Sequence, residues 1–193
     1  MDTIKKVVII GPESTGKSTL CKQLAQHYKT LWVPEFAREY LETNGTNYTY
    51  DNLLTIAKGQ VALEEKCMIE ISNQESEIES FSTANVMKDH SLLFIDTDMY
   101  VMKVWCEFVF EKCHSWILNQ IATRKYDLYL LCNVDLPWTK DNLREYPDLV
   151  TRTKLYYYYK DIMINQEIPW IDIKGNYEQR LTKAISGIDT LIH

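Results

Sequence analysis

The sequence predicts an α/β fold in three layers, with a central, mostly parallel sheet between helices and a lid segment at its edge. Three observations carry that expectation. A β-branched run, Val7-Val8-Ile9-Ile10, leads directly into Gly11-Pro12-Glu13-Ser14-Thr15-Gly16-Lys17-Ser18 and then into a helical pattern. Apolar runs of strand length alternate with helical stretches along the chain, the order from which parallel sheets are built. Two of those runs end in acidic residues, Asp96 and Asp135, and the carboxyl ends of strands are where open α/β sheets bind ligands.

The composition narrows the function. The 193 residues form one expected domain over 1–193, and 46% hydrophobic with 25% charged residues is an ordinary globular balance. A net charge of −6 argues against a general nucleic-acid binder. An anionic substrate must then be drawn by a local basic cluster. Cys21, Cys67, Cys106, Cys113 and Cys132 are odd in number and form no CxxC pair, so neither a zinc site nor a disulfide framework is expected. Reduced thiols fit a cytoplasmic protein. The N-terminal apolar run is too short for a signal peptide or a membrane span.

Lys5 to Ile10 reads as a central strand buried on both faces. In the glycine loop that follows, Gly11 and Gly16 permit a tight turn and put no Cβ between the amides and a phosphate. Successive N–H groups then form an anion nest, backed by the positive end of the next helix. Lys17 is expected to reach the β- and γ-phosphates and Ser18 to ligate Mg²⁺, with Glu13, Ser14, Thr15 and Thr19 completing a P-loop for ATP. The helix runs from Thr19 to Tyr28 and a short strand from Thr30 to Val33. Pro34-Glu35-Phe36-Ala37-Arg38 starts at that strand's exit. Glu35 is a candidate general base or acceptor for a substrate hydroxyl, and Arg38, one turn on, would face the same cleft. The plainer alternative is an acidic residue at a helix N-terminus and a solvated arginine.

Asn44 to Asn47 is a polar turn, and a long helix starts near Asp51. Gln60 on that helix is either a substrate contact or a surface glutamine. The polar stretch 72–89 either extends the helix or forms a loop. Ser91 to Asp98 is an apolar strand ending in Asp96-Thr97-Asp98, the Walker B pattern. It assigns Asp96 to the metal and Asp98 to metal or substrate. Met99 to Glu107 reads as a helix in which Trp105 either stacks on a planar base or is simply packed. Tyr126 to Cys132 is a further strand, with Asp135 and Trp138 at its exit as substrate candidates. Thr139 to Arg144, with Arg152 and Lys154 beyond, has the position of a kinase lid that supplies charge to the transferring group, although composition alone favours a solvated loop with scattered charges. Thr153 to Glu167 is helical, Trp170 to Ile173 is the last strand, and a helix runs on to Ile192. Gly175 and Asn176, after that last strand, are candidate contacts for the adenine.

Five ordered segments together resemble the ribosylnicotinamide kinase domain of the bacterial NadR-type proteins. They are Gly11 to Ser18; Val33 to Tyr40; Phe94 to Asp98 with Lys103 to Glu107; Val134 to Trp138 with Asp141 and Arg144; and Ile173 to Arg180. The resemblance implies a P-loop NTPase fold and transfer of the ATP γ-phosphate to the 5′-hydroxyl of nicotinamide riboside. By position it assigns Lys17 and Ser18 to ATP and Mg²⁺, Glu35 and Arg38 to the acceptor, Asp96 or Asp98 to the metal and ribose, and Arg144 to the lid. Which carboxylate takes the hydroxyl proton is left open. NadR-type proteins carry an adenylyltransferase domain before the kinase, and this chain begins at the kinase strand. It is therefore expected to make the mononucleotide without making NAD. The remaining alternatives are a kinase of another nucleoside and a nucleotide-dependent switch.

Overall fold

The computed structural model describes residues 4–81 and 92–192, without the side chains of 74–81. Five strands form one sheet: β1 (Lys5–Ile10), β2 (Trp32–Val33), β3 (Leu92–Asp96), β4 (Leu128–Cys132) and β5 (Trp170–Ile173). Their order is β2-β3-β1-β4-β5, and every pairing is parallel. Seven helices accompany them among the described residues: α1 (Lys17–Tyr28), α2 (Phe36–Asn44), α3 (Tyr50–Phe81), α4 (Met99–Phe110), α5 (Ser115–Thr123), α6 (Leu149–Asn165) and α7 (Tyr177–Ile192).

Strand alternation divides the core. Val7 and Ile9 face α1 and α7 with Leu20, Leu24, Ala184 and Ile188. Val8 and Ile10 face the other way, onto Leu93, Ile95, Val104, Leu155 and Tyr159. Both faces are covered, which is why the central strands read as unbroken apolar runs. A third cluster packs α2, α3, α4 and α5 around Leu53, Ile56, Met102 and Ile117, beside the sheet's carboxyl edge.

Most expected elements are present, with shifted ends. β4 starts at Leu128 because the Asp127 carboxylate closes the strand's start, accepting from the Lys6 N–H at 2.8 Å and the Lys5 ammonium at 3.0 Å. α6 starts at Leu149, earlier than expected, because Asp148 caps it and accepts from the Thr151 N–H at 2.7 Å. α5 had no counterpart in the sequence reading. The polar stretch extends α3 as far as Phe81, and its remainder, 82–89, lies outside the described residues. No helix among the described residues is long and apolar enough to cross a membrane.

The chain runs from β1 at the sheet's centre out to β2, then to β3 beside β1, and only then to β4 on the other side. The reversal leaves a crevice at the carboxyl edge, where all five strand exits converge.

Candidate functional site

The loop from Gly11 to Ser18 sits at that crevice. Gly11 has φ +138, and a Cβ there would stand 2.7 Å from the Cys132 carbonyl, so the loop lies against the end of β4. Gly16 and Ser14 are left-handed, at φ 80 and 56. The Pro12 carbonyl accepts from Thr15 Oγ1 at 2.7 Å and from Lys17 Nζ at 3.0 Å. Lys17 is thus folded along the loop.

A cavity of about 210 Å³ opens in front of the loop. Gly11 to Thr19 form one wall, with Glu35, Arg38, Trp105 and Arg144 beside them. The remaining lining includes Tyr48, Phe108, Glu145, Tyr146 and Tyr159. Glu35 stands just before α2; its carbonyl accepts from the Arg38 N–H at 3.3 Å, and its carboxylate makes no capping hydrogen bond. Its placement depends on Gly59 of α3, where a Cβ would fall 2.1 Å from the Phe36 ring. Gln60, one residue on, accepts from the Phe36 N–H at 2.8 Å and donates to the carbonyls of Pro34 and Asp96 at 3.2 and 3.3 Å. It is neither a substrate contact nor a surface residue. It is a buried joint between the exits of β2 and β3.

The two aspartates after β3 differ completely. Asp96 is fully buried, and neither carboxylate oxygen has a hydrogen-bond partner among the described residues. Burial raises its pKa, the Glu35 charge adds to that, and Lys17, the Ser18 hydroxyl and Arg38 oppose it. Thr97 follows in a left-handed conformation at φ 79 and turns the chain. Asp98 is therefore the N-cap of α4, with Oδ1 accepting from Tyr100 and Val101 N–H at 3.0 and 3.3 Å. Its Oδ2 accepts from the Tyr129 hydroxyl at 2.8 Å. Both oxygens of Asp98 are taken, so it serves as the cap of α4 and does not line the cavity.

Other expected residues also take internal partners. Asp135 accepts from the Gly175 N–H at 2.7 Å and pairs with the Arg180 guanidinium. Asn176 and Gln179 cap α7 reciprocally, each side chain accepting from the other's N–H at 3.0 Å. Trp138 is half-buried, with an unpartnered indole N–H. Asp135, Trp138, Gly175 and Asn176 do not line the cavity. Trp105 does, and its indole donates to the Tyr48 hydroxyl at 2.9 Å, with the two rings edge to face at 5.0 Å.

The segment 139–148 crosses the loop without helix or strand. Ser14 Oγ accepts from the Thr139 N–H at 2.9 Å and from Arg144 at 3.2 Å. The Glu13 carboxylate accepts from the N–H groups of Glu145 and Tyr146 at 2.9 and 2.6 Å. Arg38 reaches Asp141 at 2.9 Å. The Leu143 N–H, and then Arg38, hold Asp141 below the usual carboxylate range. Arg152 and Arg180, each 2% exposed, donate to the carbonyls of Ser14 and Thr15.

Sequence reasoning read Gln60 as a substrate contact or a surface glutamine, set Arg152 beside the lid and gave Arg180 no role of its own, yet a signal for burial was present. Gln60 shares a helical face with Leu53, Ile56 and Ala57; Arg152 with Leu155, Tyr156 and Tyr159; Arg180 with Ala184 and Ile188. A polar side chain on an apolar face marks a buried joint. Tyr48 and Tyr146 lie in irregular segments and gave no such signal.

A family model described as an AAA domain matches residues 6–180. The curated protein named Trifunctional NAD biosynthesis/regulator protein NadR, from Salmonella typhimurium LT2, is 24% identical over 190 residues, covering 98% of this chain and 43% of that protein. The protein of the same name from Escherichia coli K12 is 23% identical over 183 residues, covering 94% and 41%. The chain thus spans less than half the length of these relatives. A solved structure of NadR protein in complex with NR aligns with a TM-score of 0.74 at 20% identity, over 98% of this chain and 50% of that one. Another, in complex with NAD and AMP-PNP, gives 0.67 at 21%, over 98% and 49%. These likenesses show a shared fold.

Proposed function

The chain belongs to the AAA-domain family matched over residues 6–180, and on that premise we propose that it is a Mg-ATP-dependent kinase of a small nucleoside, acting in the cytoplasm on the 5′-hydroxyl of nicotinamide riboside. The observation that carries the reading is the composition of one cavity. A phosphate-binding loop, two basic side chains, a free carboxylate and an aromatic wall all line it. A nucleotide switch needs the first of these and has no use for the last two. The NR and AMP-PNP in the solved NadR structures are ligands of those proteins. They are the pair a riboside kinase would handle.

The roles follow from chemistry. The loop's N–H groups and Lys17 bind and orient the phosphates. Asp96 and Ser18 are the residues that would hold Mg²⁺: a buried carboxylate with two orphaned oxygens, beside a hydroxyl, suits a hard cation and its ordered water. When bound, the ion supplies charge neutralisation at the phosphates. Glu35 is placed to accept a hydrogen bond from the acceptor hydroxyl, and its proton as transfer proceeds. Arg38 and Arg144 meet charge on the transferring group, and the lid excludes water. Tyr48 and Trp105 offer ring faces and edges to a planar base.

The test is phosphate transfer from Mg-ATP to nicotinamide riboside, adenosine, uridine, thymidine and no acceptor. Mononucleotide formation from nicotinamide riboside alone is the expected result. Transfer to another nucleoside would keep the kinase and replace the acceptor. Slow hydrolysis unaffected by any acceptor would overturn the proposal.

A further inference from the structure

Two buried arginines touch the P-loop without lining the cavity. Arg152, in the first turn of α6, donates from Nη2 to the Ser14 carbonyl at 3.1 Å. Arg180, near the start of α7, donates from Nη1 to the Thr15 carbonyl at 3.0 Å. A trans peptide holds its carbonyl and the next residue's N–H in one plane, pointing in opposite directions. Turning the Ser14 carbonyl backward therefore turns the Thr15 N–H forward, and turning the Thr15 carbonyl backward does the same for the Gly16 N–H. Those are N–H groups of the anion nest.

The two arginines are supported unequally. Arg180 pairs with Asp135 and also donates to the carbonyls of Gly175 and Asn133, at 2.7 and 3.0 Å. Arg152 has no carboxylate at ion-pair distance among the described residues, and its Nε has no partner. Burial works most against its charge, the Glu13 carboxylate partly offsets that, and Arg144 adds repulsion. For packing α6 alone, an apolar side chain of the same volume would serve as well or better. A buried positive charge in that position gains its use when an anion arrives on the other side of the loop.

We propose that Arg152 and Arg180 are positioning residues for a nucleoside polyphosphate: they fix the Ser14 and Thr15 peptides so that the next two N–H groups face the phosphate chain, and they place positive charge directly behind that nest. This deepens the kinase proposal and rests on its phosphate-binding half.

Tripolyphosphate, which has no base or sugar, reads the nest alone. Its affinity is measured calorimetrically for the wild-type protein, Arg152→Met and Arg152→Lys, together with the urea unfolding midpoint and the KM and kcat for ATP. Losing one charged hydrogen bond and the charge behind the nest should weaken tripolyphosphate about tenfold in Arg152→Met and raise the KM for ATP comparably. The unfolding midpoint should be unchanged or higher, and a merely structural arginine would not give that combination. Arg152→Lys keeps the charge without the planar fork and should fall between the two, about threefold weaker than wild type. Unchanged tripolyphosphate affinity in Arg152→Met, or a loss that accompanies a lowered midpoint, would overturn the proposal. If the methionine variant does not fold, the lysine variant decides, and wild-type affinity in it would overturn the proposal. A wild-type protein that bound no polyphosphate would remove the kinase reading and this one together.

Discussion

The two walls that meet at Ser14 are built on opposite principles. On the P-loop side, the carbonyls of Pro12, Ser14 and Thr15 are each tied by a side chain, two of them by buried arginines. On the lid side, residues 139–148 have no regular structure and are fastened through a few side chains of Glu13, Ser14 and Arg38. Ser14 serves both sides: its carbonyl is fixed from behind and its hydroxyl holds the lid in front. Preorganised dipoles are useful only if they do not move when charge develops. A cover is useful only if it opens for product. The chain puts rigidity in the main chain and reversibility in side-chain hydrogen bonds.

The sharpest way to break this comparison is at the rigid wall. Lys17→Ala should lower kcat/KM for ATP by about a hundredfold or more, the scale of a lost preorganised donor. An unaltered rate would remove the loop from the mechanism. Asp96→Asn comes next. It keeps the shape and removes the charge, so Mg²⁺-dependent turnover should fall steeply, while stability near neutral pH holds or rises because the native carboxylate is buried without a partner. Full activity would move the metal role elsewhere. Arg144→Ala tests the lid, and should depress kcat by about tenfold with a smaller effect on ATP affinity. The reverse pattern would make Arg144 part of the rigid wall.

How much of this was legible in the sequence follows the same division. The P-loop, the alternation of strands and helices and the Asp96 strand exit could be read because each is a local pattern: glycine spacing, β-branched runs, an acid after a strand. Glu35, Arg38 and Arg144 were placed at the cavity on the same logic. Asp98 was assigned to metal or substrate because it shares the strand exit with Asp96. The left-handed turn at Thr97, which separates their fates, has no composition signature in a non-glycine residue. Asn176 pairs with Gln179 at capping-box spacing, a local signal that went unread; Asp135 was likewise at the expected edge, but it is joined to Gly175 and Arg180 across loops. Such joins depend on tertiary approach, and spacing does not encode them. Arg152 and Arg180 were readable in principle, as charges on an apolar helical face, once burial was weighed against residue type.

The smallest expected effect is also the most direct probe of how the two walls meet. Each Glu13 carboxylate oxygen accepts one lid N–H, from Glu145 or Tyr146. Glu13→Gln leaves one good acceptor and sets an NH₂ group against the other N–H. The lid then loses one charge-assisted bond of the two, a change of about 1–2 kcal/mol in the closed state. Since the loop's backbone is fixed by the arginines and not by Glu13, Lys17 and the nest should stay as they are. Amide exchange at Glu145 and Tyr146 should therefore accelerate by about tenfold, while exchange at Thr15 and Gly16 is unchanged. Turnover should change by no more than a few-fold, upward if lid opening limits product release. Faster exchange at both sets of amides would mean that the lid and the loop open as one unit. The contrast between a fixed wall and a detachable one would then fail at the residue that joins them.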